Sequence, residues 1–288
     1  MQHLIRTRPF QSDGFSDEKP WPSRVAQAIG TNTVVVTCFS ILLAVAIWQL
    51  AVSVFAPSPD VLPGPNLVVR SLFDGLIRIP AAQGVMTQAG YIQPTVVTLE
   101  ITALGFVIGS LLGVVLAAVM AASRAIDRLI LPWITGFQSM PIIAFIPLFV
   151  IWFGYGLRSQ GLVCTLIVIF PITVAGRSGF LSVPDDRRAL ARAFNASAWR
   201  RLRFIVLPSA LPYVMTGLEL GIVYSLLGAV AAQFLAGNEG LGALIVTYQS
   251  ADNVAGVFSD LIILALLGLT MHRLMVAAKR KVVFWQES

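Results

Sequence analysis

The sequence predicts an all-α, polytopic membrane protein of six transmembrane helices, and three observations carry that prediction. The chain is 57% hydrophobic and only 12% charged, against about 25% charged residues in a soluble domain. The charges are clustered and leave long uncharged runs, with a mean hydropathy of +0.81. The apolar runs are continuous, not alternating, which excludes a transmembrane barrel.

The elements follow in order. Residues 1–32 are polar, mixed in charge and punctuated by Pro9, Pro20 and Pro22. They lack the short apolar core of a signal peptide and read as a disordered tail ending in a short interfacial helix. A transmembrane domain is predicted over 33–281, with spans at 33–55, 96–122, 129–153, 160–181, 209–236 and 256–278. Each is near or above the ~20 residues needed to cross. The longest outer loop, Ala56 to Gln93, opens with Pro57, Pro59, Pro63 and Pro65, then reads NLVVRSLFDGLIRI, an amphipathic helix expected to lie on the outer surface and pack on its own bundle. In the second span Gly105, Gly109 and Gly113 recur every four residues, placing three glycines on one face for close helix contact. In the third, Pro141 and Pro147 interrupt an apolar helix, as in bent, pathway-lining helices. Gly240 and Gly242 predict a tight turn and a short helix before the last span, and residues 282–288 are a C-terminal tail.

Charge placement sets the orientation. Of the 20 Lys and Arg residues, only Arg70, Arg78 and Arg158 fall on the outer side if the N-terminus is inside. This asymmetry places both termini in the cytoplasm. The net charge of +6 is therefore a topology signal with some attraction to anionic lipid, and nucleic acid is not an expected partner. Cys38 and Cys164 fall inside spans and suit neither a disulfide framework nor a metal pair.

The loop at 184–208 stands out. Within it Asp185–Pro208 reads DDRRALARAFNASAWRRLRFIVLP: a small-residue helix, a break at Asn195, a second basic helix, then Ile205-Val206-Leu207-Pro208 leading into the next span. This resembles the cytoplasmic loop of bacterial ABC importer permeases, E-A-A-x3-G-x9-I-x-L-P. Asn195 stands at the glycine and the nine-residue gap to Ile205 is kept. Further stretches are similar to the nitrate/sulfonate/taurine subgroup: Ser139-Met140-Pro141 through Ile146-Pro147-Leu148, Ile151 to Gly156, and Gly240-Leu241-Gly242 after AAQFLAG. There are departures. Ala189-Leu190-Ala191 replaces E-A-A, and Asn195, the next-best residue for a left-handed turn, replaces glycine. Gln233 stands where the family often has glutamate, and Glu100 and Glu219 where it often has arginine.

The resemblance implies an inner-membrane, multi-pass permease that is not itself catalytic and holds no cofactor. It implies two ABC ATPase subunits, a periplasmic or lipid-anchored solute-binding protein and a second permease copy, identical or paralogous, as partners. The ATPases would dock on Ala189, Leu190, Ala191, Phe194, Asn195, Ala196, Trp199, Ile205, Leu207 and Pro208. The solute would be a small anion of the nitrate, sulfonate or taurine type, or a pyrimidine precursor, riboflavin or an aromatic acid. Spans three and five would line the passage, making Phe137, Gln138, Ser139, Met140, Glu219, Tyr224, Ser225 and Gln233 its candidates.

The residues themselves agree on what is missing. No G-x-x-x-x-G-K-[ST] occurs, so ATP is not bound by a P-loop here. No paired carboxylates or Ser/His/Asp set suggest a membrane enzyme. A stand-alone carrier or channel predicts inverted repeats or a charged midplane site, and neither is visible. Ionisable residues inside spans are few. Glu100 and Asp260 read as water-exposed carboxylates near outer helix ends, Arg177 as snorkelling to lipid phosphate, and His272 as alone. Glu219, well inside span five, is expected to face protein or a cavity, as helix–helix glue or as pathway lining.

Overall fold

The computed structural model describes residues 33–77 and 90–286. The expected tail, residues 1–32, the loop stretch 78–89 and the last two residues lie outside it. The chain divides into two compact units, one up to Ala56 and one from Pro57. The first contains α1 (Thr33–Phe55), whose 21-residue apolar stretch is long enough to cross a membrane.

In the second unit α2 (Pro65–Ile77) precedes α3 (Ile92–Ala122). A bent pair follows, α4 (Arg124–Ser139) and α5 (Ile146–Phe153), joined by a 3-10 turn at Ile142–Phe145. Then come α6 (Leu157–Leu181), α7 (Asp185–Ala193), α8 (Ala198–Arg201), α9 (Leu207–Ala236), α10 (Leu241–Ser250) and α11 (Val254–Val282).

The core is α3, α6 and α9 pressed together, and the glycines are why. A Cβ added at Gly105 would lie 2.1 Å from Cys164 Cβ, and one at Gly109 would lie 2.8 Å from Val168 Cβ. At Gly113 it would meet the Ile169 carbonyl and Ile172 at 3.0 Å. The glycine face thus finds its partner in α6, and apolar side chains cannot separate the backbones. From the other side, Gly217, Gly221 and Gly228 of α9 close on Ile172, Val168 and Cys164. Hydroxyls add bonds between these helices: Ser225 donates to the Thr102 carbonyl at 2.7 Å, and Thr173 to the Gly113 carbonyl at 3.3 Å.

These contacts fix direction. Positions rising along α3 meet positions rising along α6, so the two helices run parallel. The connection from Ala122 to Leu157 must therefore return the full depth of the bundle. It climbs from Met120 and Phe170, where Ile134 packs, to Val163 and Ala232, where Ile146 packs. The bent pair is one broken span, and with the five long apolar helices it makes six candidate crossings.

The break differs from the sequence expectation of one helix over 129–153 interrupted twice. It lies at Pro141 alone, where the two halves meet at 83°. Pro141 cannot donate an N–H, and it forces Met140 into extended backbone at φ −82°, ψ 143°. Pro147 falls instead in the first turn of α5, where its missing N–H costs nothing.

At the end of the bundle that holds Leu157 and Leu241, α2 seats its apolar face as expected. Val68 is buried, and Ser259 of α11 donates to its carbonyl at 3.0 Å. Tyr91, Leu241, Leu244 and Tyr248 form the cluster beneath, with the Tyr248 hydroxyl donating to that of Tyr91 at 3.3 Å.

Replacing Gly105 by alanine should lower the unfolding free energy in detergent by about 1–3 kcal/mol, because the added methyl has no room. Gly136, whose Cβ would meet nothing within 4 Å, is the control. Gly136→Ala should leave the thermal midpoint unchanged or slightly raised. Equal midpoints for the two variants would mean that α3 and α6 are not in backbone contact.

Candidate functional site

The Asp185–Val206 segment joins the opposite ends of α6 and α9 from the Tyr91–Tyr248 cluster. Its turn is built as the sequence suggests. Helix α7 ends in a reversal in which Asn195 takes φ +45° and the Ala196 N–H donates to the Ala191 carbonyl at 3.0 Å. This is the six-to-one bond of a Schellman ending, with Asn at the left-handed position that usually takes glycine. Ser197 then caps α8, accepting from the Arg200 N–H at 3.4 Å.

Beyond α8 the helix does not stop. Residues Leu202–Val206 form one π turn, with the Leu207 N–H on the Leu202 carbonyl, and lead straight into α9. Pro208, which cannot bond back and would crowd the carbonyl four residues earlier, follows this widened turn. Ala198–Ala236 is thus a 39-residue helical run.

The expected docking residues separate into two sets. Leu190, Phe194 and Trp199 are exposed, Phe194 by 78%, and Ala189 and Leu207 are also exposed. Ala191 is 5% exposed and faces inward, so it is a packing residue of the protein itself. Ala196, Ile205 and Pro208 are half-buried.

The passage candidates separate likewise. Phe137, Gln138, Ser139 and Met140 are exposed at the crease of the broken span. Phe137 stacks on Phe170 with centroids 6.2 Å apart, and Ser139 bonds back to the Thr135 carbonyl at 2.9 Å. Phe137, Met140, Phe149 and Trp152 help to line an apolar crevice of about 240 Å³ there. Tyr224 is exposed on α9. Ser225 and Gln233, by contrast, are fully buried in helix contacts. Gln233 Oε1 accepts from Thr98 Oγ1 at 2.9 Å and from the Gly242 N–H at 3.1 Å, while Thr98 Oγ1 accepts from the Leu241 N–H at 2.9 Å. This knot ties α3, α9 and α10 together. Gly240, at φ +98°, lies so close that a Cβ would stand 2.3 Å from Gln233 Nε2.

Glu219 is partly buried and not alone. Its Oε2 accepts from Lys279 Nζ of α11 at 2.9 Å, Lys279 also reaches Thr216 Oγ1 at 3.0 Å, and His272 Nε2 stands 3.9 Å from Oε1. These contacts are those of helix–helix glue, and they correct the reading of His272 as alone. Arg177 is also corrected: it does not snorkel but grips Asp127 of α4 with two nitrogens, Nη2 to Oδ2 at 2.6 Å. No local signal links two residues 50 positions apart. Asp260, expected in water, is fully buried beside Tyr91 and Tyr248, and neither of its oxygens has a hydrogen-bond partner among the described residues. Its neighbour Ser259 donates to the α2 backbone. Burial first, then the Tyr91 hydroxyl, holds the Tyr248 phenol well above its usual range, so it stays a neutral donor. Glu100 is exposed, as expected.

Comparison with known proteins places this architecture. The family described as binding-protein-dependent transport system inner membrane component matches residues 105–284. The chain is 33% identical over 249 residues to the riboflavin transport system permease protein RibX of Chloroflexus aurantiacus, covering 86% of this chain and 89% of that one. It is 28% identical over 270 residues to the taurine transport system permease protein TauC of Escherichia coli, covering 92% of each. It is 29% identical to the formylaminopyrimidine transport permease protein ThiX of Halalkalibacterium halodurans, over 81% of this chain and 88% of that one. Among solved structures, the inward-facing MetNI methionine ABC transporter has a chain of the same fold, with a TM-score of 0.55 and 21% identity over 75% of this chain and 96% of that one. The chain belongs to the binding-protein-dependent inner membrane component family, the permeases of ABC importers.

The turn at Asn195 is open to direct test. Asn195→Gly should leave the rate of limited proteolysis between Ala193 and Ser197 unchanged. Asn195→Val should raise it, since a β-branched residue in the left-handed region costs about 1–2 kcal/mol. A harmless valine with a harmful glycine would mean that Asn195 acts through its amide.

Proposed function

We propose, from this family membership, that the chain forms one half of a two-permease passage for a small solute. Two ATPase subunits drive it through the Asp185–Val206 segment, and a solute-binding protein feeds it from the other side. One observation carries the reading. Leu190, Phe194 and Trp199, three large apolar side chains, stand exposed on short helices whose relative orientation is fixed by the Schellman turn. A membrane protein gains nothing by showing such anchors to water unless a partner groove receives them. The basic residues around them, Arg187, Arg200 and Arg201, keep the segment at the aqueous face.

The mechanism is alternating access. ATP-driven closure of the partner subunits displaces α7 and α8, and the continuous run from α8 into α9 carries that displacement into the core as a rigid body. The relatives named above are permeases for taurine, a zwitterionic aminosulfonate, and for the heteroaromatic riboflavin and formylaminopyrimidine, so the family alone leaves the substrate class open.

In this arrangement both termini and the Asp185–Val206 segment face the cytoplasm, and α10 faces outward. In a Cys38→Ala background, Ser250→Cys should react with an impermeant maleimide added to intact cells and Arg201→Cys should not. Labelling in the reverse pattern would invert the topology and remove the docking argument.

Truncating both anchors, Phe194→Ala with Trp199→Ala, should release the ATPase subunits during purification. Each lost anchor should cost about 2 kcal/mol, roughly 30-fold in affinity. The exposed positions leave membrane insertion and thermal midpoint unaffected. Full ATPase retention in the double variant would move the dock elsewhere.

A further inference from the structure

A second crevice, of about 350 Å³, opens at the far end of the bundle between the starts of α3 and α6 and the turn after α9. Its volume lies within the range of small-molecule sites. Beside the neutral amides of Gln160 and Asn238, its charged lining is of one sign. Glu100 and Glu239 are both exposed to it, and neither has an ion-pair partner among the described residues. Arg158, next to Leu157 in the chain, does not line it.

Two carboxylates alone would be an ordinary acidic rim. Gln160 makes the difference. It lines the same crevice, is 4% exposed, and its side-chain amide makes no hydrogen bond among the described residues. Its amide atoms are not sealed from solvent, and the crevice is the surface the residue lines, so a ligand there can take their free hydrogen-bonding positions. Ile101 and Leu157 supply an apolar wall, and the exposed ring of Tyr155 stands at the edge.

We infer that this crevice is a recognition site for the head group of a solute bearing a protonated amine or amidine on a flat apolar body. The carboxylates accept charge-assisted N–H bonds, Gln160 completes the donor–acceptor set, and the wall and Tyr155 hold the body. A free sulfonate or carboxylate meets two like charges and no cation, and is rejected. The proposal rests on the importer reading, because only there does this end of the bundle receive solute.

The test uses the full-length chain in lipid nanodiscs with three probes of one shape and different charge: benzamidine, benzamide and benzoate. Ligand-observed NMR titration should show benzamidine binding, benzamide binding more weakly and benzoate not binding. Glu100→Gln with Glu239→Gln should weaken benzamidine by at least about tenfold at unchanged thermal midpoint, since both side chains are exposed. Gln160→Leu should weaken benzamidine and benzamide alike. Binding of benzoate as tight as that of benzamidine, an unaffected double carboxamide variant, or no benzamidine binding to the wild type would overturn the proposal. A double variant that keeps benzamidine affinity but loses the solute-binding protein would make the crevice a protein dock, and would overturn it too. The titration needs no ATPase. Failure of the importer reading shows separately, in retention of the ATPase by the anchor-truncated variant.

Discussion

The structure depends on the backbone contact between α3 and α6. Gly105 and Gly109 leave no space for a methyl against Cys164 and Val168, so these two helices touch along their length at one register. Because they touch in parallel, the chain between them must cross the bundle once more. The broken span is the result, and its crease at Pro141 is the bend that lets one traverse pack first on α3 and then on α9. α9, running back, reaches α6 through Gly217, Gly221 and Gly228. Close packing of this kind substitutes for a hydrophobic driving force that lipid does not supply.

Polar groups are then spent at the ends of that core. At one end Thr98, Gln233 and the Leu241 and Gly242 amides form a buried knot. Toward the other end Arg177–Asp127 ties α6 to α4, and Lys279–Glu219 ties α11 to α9. Each ion pair ties a helix outside the α3–α6–α9 core, α4 or α11, to a helix of that core. The pairs are partly exposed and add modestly to stability. Their clearer effect is on register, since each pair fixes the height of one helix against its neighbour.

What the sequence revealed was whatever a single element states about itself. The glycine repeat at 105, 109 and 113 declared a contact face, Asn195 a left-handed turn, and Gly240 with Gly242 a tight turn before a short helix. What it hid was pairing between distant elements. Arg177 reads as a snorkelling residue until Asp127, 50 positions earlier, is seen beside it. Gln233 and Ser225 read as polar side chains on a passage-facing helix, yet their acceptors and donors lie on α3 and α10. Asp260 looked solvated because helix ends usually are, and only the tertiary packing that brings Tyr91 and Tyr248 beside it removes the water. Pro141 and Pro147 were equal in the sequence. The structure distinguishes them, because one sits where a helix would have to continue and the other where one begins. Of the expected docking residues, exposure alone separates Phe194 and Trp199 from Ala191, and alternation along so short a helix could not assign it.

The helix that begins at Ala198 and ends at Ala236 has a mechanical meaning. At ~1.5 Å per residue its 39 residues make a rod of about 58 Å. A rod of that length behaves as a lever whose two ends cannot be displaced independently. Its lower end carries Trp199, its middle is clamped by α6, and its upper end holds Gln233 in the knot with α3 and α10. The clamp is the fulcrum, and a small displacement of one end is a displacement of opposite sense at the other. The rod is interrupted at the π turn Leu202–Val206 and at Pro212, where the regular i→i−4 ladder is broken. In the proposed docking arrangement, stiffness in the π turn sets how much of a stroke at Trp199 reaches Gln233.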